Sequence, residues 1–489
     1  MAKGKSRILG GVALATLALT GCAAGSIPGA STPITQSEAQ QGAEYHPQLL
    51  AEFGGTYQGS QAAYIESVGK NIAVQSGLGN AREDFTVSVL NSPVNNAFAI
   101  PGGYIYTTRQ LVALMNNEAE LAGVLGHEVG HVAARHSQRR QSAAQQNTLI
   151  GAGLAILTGV LLGDSQVGNT LSRGFLQGSQ LLTLRFSRTQ ELEADELGIQ
   201  YLTGAGYDPR AMSTVLQSLA SQNALDAQLQ GAGNASIPEW ASTHPDPQSR
   251  VQTALTKAGA GTGTLNRDVF LTRIDGILYG DDPAQGVIEG QQFIHPDLRL
   301  SFSVPQGFYM VNSPRAVSIN GQSGKAQFST GPYSGNLETY LRSVFTALGG
   351  QQQALAPSSI QRTTVNGIPA AYGTARVNNG SSQVDVTVFA YEFGNSQAFH
   401  FATIVPAGQS GTFNAMFNSV RRISTSEAAA IKPRYIDVVT VARGDTVQSL
   451  ANRMAYDSGK VERFRVLNAL GPNDTLQAGQ KVKLVVRSR

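Results

Sequence analysis

The chain has 489 residues, 41% hydrophobic and 14% charged, which is apolar material for about three domain cores and too little charge for a chain disordered throughout. Lys and Arg number 36 against 33 Asp and Glu, a formal charge of +3 that lacks the basic excess of a nucleic-acid binder. The 54 glycines follow no Gly-X-Y period, which excludes collagen, and a single cysteine excludes an internal disulfide or a cysteine-cluster metal site.

Lys3, Lys5 and Arg7 precede an apolar run from Ile8 to Leu19, and Thr20 and Gly21 lead into Cys22. A basic start, a short apolar stretch and a small-residue cleavage site read as a secretory signal over 1–21, too short for a spanning helix. Its removal deletes three basic residues and no acidic ones, bringing the formal charge to zero. The quartet Leu19-Thr20-Gly21-Cys22 resembles a bacterial lipobox. That resemblance implies acylation of Cys22, and Ala23 rather than Asp after it implies the outer membrane, with the protein lipid-anchored and facing the periplasm. Residues 22–43, rich in Ala, Gly, Ser, Thr and Gln, read as a flexible tether.

From residue 116 the chain reads NNEAELAGVLGHEVGHVAARHSQRR. Asn117 with Glu120 predicts a capping box, Glu118 adds acid to the first turn, and Arg135, His136, Arg139 and Arg140 gather at the far end. Leu121, Val124, Leu125, Val129 and Val132 recur at helical spacing. On this helix lie His127, Glu128 and His131, the H-E-x-x-H pattern. Histidines at i and i+4 share one face, so both rings can reach a single Zn²⁺ at about 2.0–2.1 Å, and Glu128 is placed to act as general base on water. Two histidines do not complete a catalytic site. In a second helical segment, FSRTQELEADELGIQYL, Glu191 and Asp195 stand at i and i+4, which makes Glu191 the expected third ligand and Asp195 the acceptor for the spare N–H of a ligand histidine. Glu193 and Glu196 are expected on a solvated face. His46, His136, His295 and His400 have no partner motif and are expected to be structural.

Four motifs then stand in order: NAFAIPGGYIY (96–106), ELAGVLGHEVGH (120–131), SRTQELEAD (187–195) and STHPDPQSR (242–250). Together they resemble the gluzincin family of the CAAX prenyl protease, the HtpX membrane protease and the periplasmic BepA-type proteases, over roughly residues 44–257. The resemblance implies one zinc per chain on His127, His131 and Glu191, with Glu128 as base. It also implies a strand at Asn96, Ala97 and Phe98 that pairs with extended substrate, and a His244–Arg250 element. His244 is expected either to stabilise the oxyanion or to close onto the zinc as a fourth ligand, with Arg250 orienting acidic neighbours. The uncharged run at 147–163 is open to three readings: a buried helix, a lid, or a membrane-dipping patch.

AGAGTGT at 258–264 reads as a linker. Residues 265–430 then read as an α+β unit with no catalytic constellation. LRLSFSV alternates with period two, VDVTVFAYEF and AFHFATIV flank a Gly-Asn-Ser turn, and NLETYLRSVFTAL and TFNAMFNSVRRI look helical. Residues 435–489 predict strand–helix–helix–strand and resemble a LysM module, which implies a glycan groove bordered by Gly444, Asp445, Thr446, Leu467 and Asn468. The unit departs from the pattern in its single copy and its longer inter-helix stretch.

The expected fold class is therefore multidomain α+β: a mainly helical gluzincin domain with a small edge sheet, an α+β sheet domain and a βααβ LysM-like domain. The expected function is a zinc endopeptidase of the cell envelope that cleaves misfolded or stalled envelope and outer-membrane polypeptides in quality control. Its expected attachments are a membrane through lipid and peptidoglycan as a candidate glycan, with no nucleic acid. The alternatives are a peptidoglycan-associated hydrolase and a non-catalytic envelope chaperone or scaffold.

Overall fold

The structure, a computed structural model, describes residues 33–78, 80–139, 186–230, 244, 247–349, 355–378 and 383–487. Cys22, the tether up to residue 32, Arg140 and the apolar run at 147–163 lie outside the described residues. Among the described residues no helix is long and apolar enough to cross a membrane.

Thr35 and Glu38 close a reciprocal capping box that starts α1 (Gln36–Glu52), which is followed by α2 (Gln61–Val74) and α3 (Ala81–Asp84). Strands β1 (Thr86–Leu90), β2 (Ala97–Ile100) and β3 (Tyr104–Thr108) form a sheet of order β1-β3-β2. β3 runs parallel to β1 and antiparallel to β2. The β2–β3 turn uses Gly102 at φ +88°, where a Cβ would fall 2.6 Å from the Glu38 carbonyl oxygen. Only glycine lets α1 lie this close to the hairpin. Helices α4 (Arg109–Leu114), α5 (Glu118–Ala133), α6 (Arg188–Gly204), α7 (Ala211–Gln230), α8 (Pro247–Ala258) and α9 (Arg267–Ile274) follow, then β4 (Leu278–Tyr279).

α5 is buried all round, with only Val132 partly exposed, so it is a core helix and not the amphipathic surface helix its stripe suggests. Its capping differs from the expected box. Asn117 accepts from the Glu120 amide at 2.9 Å, but Glu120 reaches the Asn116 amide at 2.7 Å, one residue before the N-cap. Small residues then bring α5 against α6. A Cβ on Gly130 would stand 3.4 Å from the Ala194 Cα, and one on Gly198 would stand 3.2 Å from the His127 nitrogen. This close seam sets the distance between the histidines of α5 and the acids of α6.

The stretch expected as a linker is anchored: the Asp208 amide donates to the Thr264 carbonyl at 3.2 Å, and the Thr264 amide to the Gly206 carbonyl at 3.0 Å. Beyond it, Phe270, Leu271, Ile274 and Ile277 share the core of α2 and α5. A sheet domain starting at 265 is thus placed too early, because α9 buries its apolar side against the helical domain. The sheet domain proper begins with β5 (Val287–Glu289), β6 (Gln292–His295) and β7 (Leu300–Ser303). It continues through β8 (Phe308–Asn312), β9 (Ala316–Gly321), β10 (Gly324–Thr330), β11 (Ile360–Val365), β12 (Ile368–Asn378), β13 (Gln383–Gly394) and β14 (Gln397–Pro406), and ends at β15 (Arg421–Arg422). The seven-stranded antiparallel sheet has the order β11-β12-β13-β14-β10-β9-β8, and β15-β7-β6-β5 form a smaller sheet. α10 (Leu337–Gly349) covers one face through Leu341 and Phe345, while Phe328, Phe389 and Phe401 fill the other against Phe293 and Phe302.

The last unit places β16 (Arg434–Thr440) between β17 (Lys481–Val486) and β4, with helices Val447–Asn452 and Lys460–Leu467 in between. It has the expected βααβ order, yet it is no tethered module. Its Ile436, Leu450, Phe464 and Leu484 belong to the core that contains α5. Lys483, fully buried, donates from Nζ to the carbonyls of Ala113, Leu114 and Met115 at 2.8, 3.1 and 2.6 Å, covering the C-terminal end of α4.

Candidate metal centre

His127 and His131 project from one face of α5, with their Nε2 atoms 3.0 Å apart. From α6, Glu191 places Oε2 3.6 Å from His127 Nε2 and Oε1 3.6 Å from His131 Nε2. The ligand-capable atoms of His127, His131, Glu191 and His244 all lie within 4.8 Å of one another, and all four residues are buried. Glu128, on the adjacent edge of α5, has Oε1 3.3 Å from His244 Nε2.

Behind this cluster, His127 Nδ1 donates to Asp195 Oδ1 at 2.9 Å, which leaves its Nε2 lone pair bare toward the centre. Arg250, 1% exposed, donates from Nε and Nη2 to Asp195 at 2.8 and 2.6 Å, and from Nη1 to Glu191 Oε2 at 2.6 Å. Its Nη2 also comes 3.5 Å from His127 Nδ1, where two donors share one carboxylate. Asp195 is opposed by burial, but the charge and hydrogen bonds of Arg250 hold it well below the usual carboxylate range.

These residues fit a metal on three observations. First, both Glu128 oxygens and Glu191 Oε1 are buried and accept no hydrogen bond among the described residues. Second, burial pushes the Glu128 and Glu191 carboxyls up to about 7, and a cation between them would restore their ionised forms. Third, burial pushes the His131 ring well below its ordinary value and His244 down to about 3, so both stay neutral and able to ligate. Two imidazoles with a carboxylate are the donor set of a catalytic zinc site.

The geometry brings together every metal and base residue expected from the sequence. Other expected positions differ. Asn96, Ala97 and Phe98 are at most 2% exposed and Phe98 stacks on Tyr106 under α1, while β2, which holds Ala97 and Phe98, lies at the edge of its sheet. In the glycan-binding set, Gly444 and Thr446 are exposed and Asp445 half-buried. Leu467 and Asn468 face the core instead. The Asn468 side chain is bonded to the Phe464 and Lys483 carbonyls and the Lys483 amide, so neither residue borders a groove. Glu196 lies on the solvated face, paired with Lys257, but Glu193 does not. It binds Arg139 and His136, and His136 Nδ1 lies 2.7 Å from His131 Nδ1. Burial pushes His136 down to about 4. Phe186 stacks on the His131 ring at 3.8 Å. The sequence carried little signal for His136, because i+5 does not share a helix face. It returns to His131 only where Arg135, at φ +50°, breaks α5.

A helix-borne H-E-x-x-H pair completed by a carboxylate from a second helix, with a buried base beside it, defines the metal-dependent peptidase class. Residues 59–258 match the model of Peptidase family M48, and residues 439–485 that of the LysM domain. The chain is 33% identical over 236 residues to the beta-barrel assembly-enhancing protease of Yersinia pestis, covering 48% of this chain and 46% of that protein. It is 35% identical over 164 residues to the mitochondrial metalloendopeptidase OMA1 of Arabidopsis thaliana, covering 34% and 30%. The chain thus spans about half the length, or less, of these curated relatives. A crystal structure from Bacteroides thetaiotaomicron covers 40% of this chain and 87% of its own at TM-score 0.24 and 10% identity, a likeness that carries no argument.

Proposed function

We propose that the chain is a zinc-dependent endopeptidase of the bacterial cell envelope, lipid-anchored through Cys22 at the outer membrane and facing the periplasm. The observation that carries this reading is the buried convergence of His127, His131 and Glu191 beside an unbonded Glu128 carboxylate. Zinc held by these three residues would supply Lewis acidity to a peptide carbonyl and acidify the attacking water. Glu128 takes a proton from that water on a carboxylate oxygen and passes it to the leaving amide nitrogen. Asp195 and Arg250 hold His127 and Glu191 in position. His244, with Nε2 3.3 Å from Glu128 Oε1 and its ligand-capable atom within 4.8 Å of those of His127, His131 and Glu191, is in this reading the group that closes the resting site, the alternative being an oxyanion donor.

The clients in this reading are misfolded or stalled envelope polypeptides, because the Yersinia relative is named for beta-barrel assembly. The LysM domain and its exposed Gly444–Thr446 turn make peptidoglycan the partner that holds the enzyme near the wall. Casein and purified cell wall, incubated in parallel with wild type and Glu128→Gln, test the assignment. Cleavage of protein alone, lost in the variant, supports it. Release of wall peptides favours a peptidoglycan hydrolase, and zinc binding with neither activity favours a scaffold.

A further inference from the structure

We propose that the buried His136 and the partly exposed Glu193 form a relay that sets the tautomer of His131 and holds its Nε2 open to the metal. The proposal rests on the reading of His131 as a ligand.

His136 is fully buried, and its two ring nitrogens meet two different partners: Nδ1 faces His131 Nδ1 at 2.7 Å and Nε2 faces Glu193 Oε2 at 3.1 Å. Two imidazole nitrogens at that separation share one proton, so one donates and the other accepts. Glu193, which already takes Arg139 Nη1 on its Oε1 and Oε2 at 3.1 and 2.9 Å, is an acceptor. His136 therefore carries its proton on Nε2 and offers the Nδ1 lone pair to the N–H of His131 Nδ1. That leaves His131 Nε2 bare, 3.0 Å from His127 Nε2. The reverse assignment would put a proton on His131 Nε2 and close it to a metal. The two ligand rings are thus oriented in different ways: His127 directly by Asp195, His131 through a second histidine by Glu193. Both acids come from one stretch of α6 that also supplies Glu191.

The relay is built into the fold at both ends. Arg135 donates from Nε to Glu38 Oε1 at 3.0 Å and from Nη2 to the Pro33 carbonyl at 3.0 Å, fixing the turn that carries His136 away from α5. Gln190, the capping partner of α6, donates from Nε2 to the His136 carbonyl at 3.1 Å. His136 is therefore a positioning residue that touches neither substrate nor reacting atoms.

Zinc affinity tests this, measured by chelator competition on wild type, His136→Phe, Glu193→Ala and Glu193→Gln, with melting of each metal-free protein recorded beside it. His136→Phe and Glu193→Ala should bind zinc about 10–100-fold more weakly. Glu193→Gln, whose amide oxygen still accepts from His136 Nε2, should stay near wild type. Should Phe186 and the larger ring at 136 prevent folding, the partly exposed Glu193 pair carries the comparison alone. Equal affinity in wild type and Glu193→Ala, or equal loss in the alanine and glutamine variants, would overturn the relay. A wild type that binds no zinc would overturn the metal centre and the relay together.

Discussion

Lys483 Nζ lies 2.6 Å from the Met115 carbonyl oxygen, which ties the last strand of the LysM domain to the turn between α4 and α5. Burial pushes the Lys483 ammonium down to about 7 and the Glu120 carboxyl up, so each is best held charged by the other. Lys483→Met would leave three buried carbonyls without their donor and Glu120 without its counter-charge. We expect a loss of about 2–4 kcal/mol in unfolding free energy. We also expect the helical domain and the LysM unit to unfold together in one cooperative calorimetric transition in both proteins. A separate LysM transition in wild type would refute the shared core.

The seam between α5 and α6 is equally exposed to test. At Gly130 an added Cβ would sit 3.2 Å from Leu197 Cβ and 3.3 Å from the Ala194 carbonyl, and backbone cannot move aside as a side-chain tip can. Gly130→Val should destabilise by about 1–3 kcal/mol and weaken zinc binding as Glu191 is pushed from the histidines. Denaturant unfolding with a zinc titration checks both. Unchanged zinc affinity would show that the seam does not set the ligand distances.

The parts of the site that could be read from sequence are those that repeat along one helix. His127 and His131 are one turn apart, as are Glu191 and Asp195, and a helical period suffices to place each pair on a face. What was illegible depends on contacts between distant segments. His136 regains His131 only through the turn at Arg135, and Glu193 looks like an ordinary surface acid until His136 arrives. The LysM resemblance implies that Asn468 borders a groove, yet its amide is spent on the strand that carries Lys483. The boundary at 265 failed for a similar reason: the Gly-rich composition of 258–264 suggested a linker, while the apolar side of α9 sent the next segment back into the helical core.

His400 gives a prediction in pH. It is buried in the sheet domain, bonded through Nδ1 to the Tyr340 hydroxyl at 2.8 Å and through Nε2 to Ser329 Oγ at 3.2 Å. Burial pushes its ring down to about 4 from an ordinary 6.5. The folded state thus binds fewer protons than the unfolded chain between these values. Stability from this group is complete above pH 6.5 and is lost as the pH falls through 4. Across that window wild type should lose about 3 kcal/mol more than His400→Gln. Parallel acid-unfolding curves for the two proteins would contradict it.

Metal content bears on the third ligand. Wild type is expected to carry one zinc per chain by elemental analysis, and Glu191→Gln much less. Only Glu191 Oε2 is engaged by Arg250; Oε1 faces His131 Nε2 without a hydrogen bond. The neutral amide keeps the shape while removing the charge the cation requires. Zinc retained at the wild-type level would reassign that ligand.

His244 decides whether the resting site is open. Its ring is fully buried, 5.4 Å from the His127 ring and 5.7 Å from that of His131, centre to centre, with Nε2 against Glu128 Oε1. A ring in that place competes with water for both the base and the metal. Removing it in His244→Ala should therefore raise casein cleavage several-fold while zinc content stays near one per chain. An oxyanion donor would behave oppositely, since losing one such donor lowers turnover about 10²–10³-fold. The direction of the change in kcat, measured at saturating casein, separates the two. A drop with intact zinc would return His244 to the oxyanion role and leave closure to some other part of the chain.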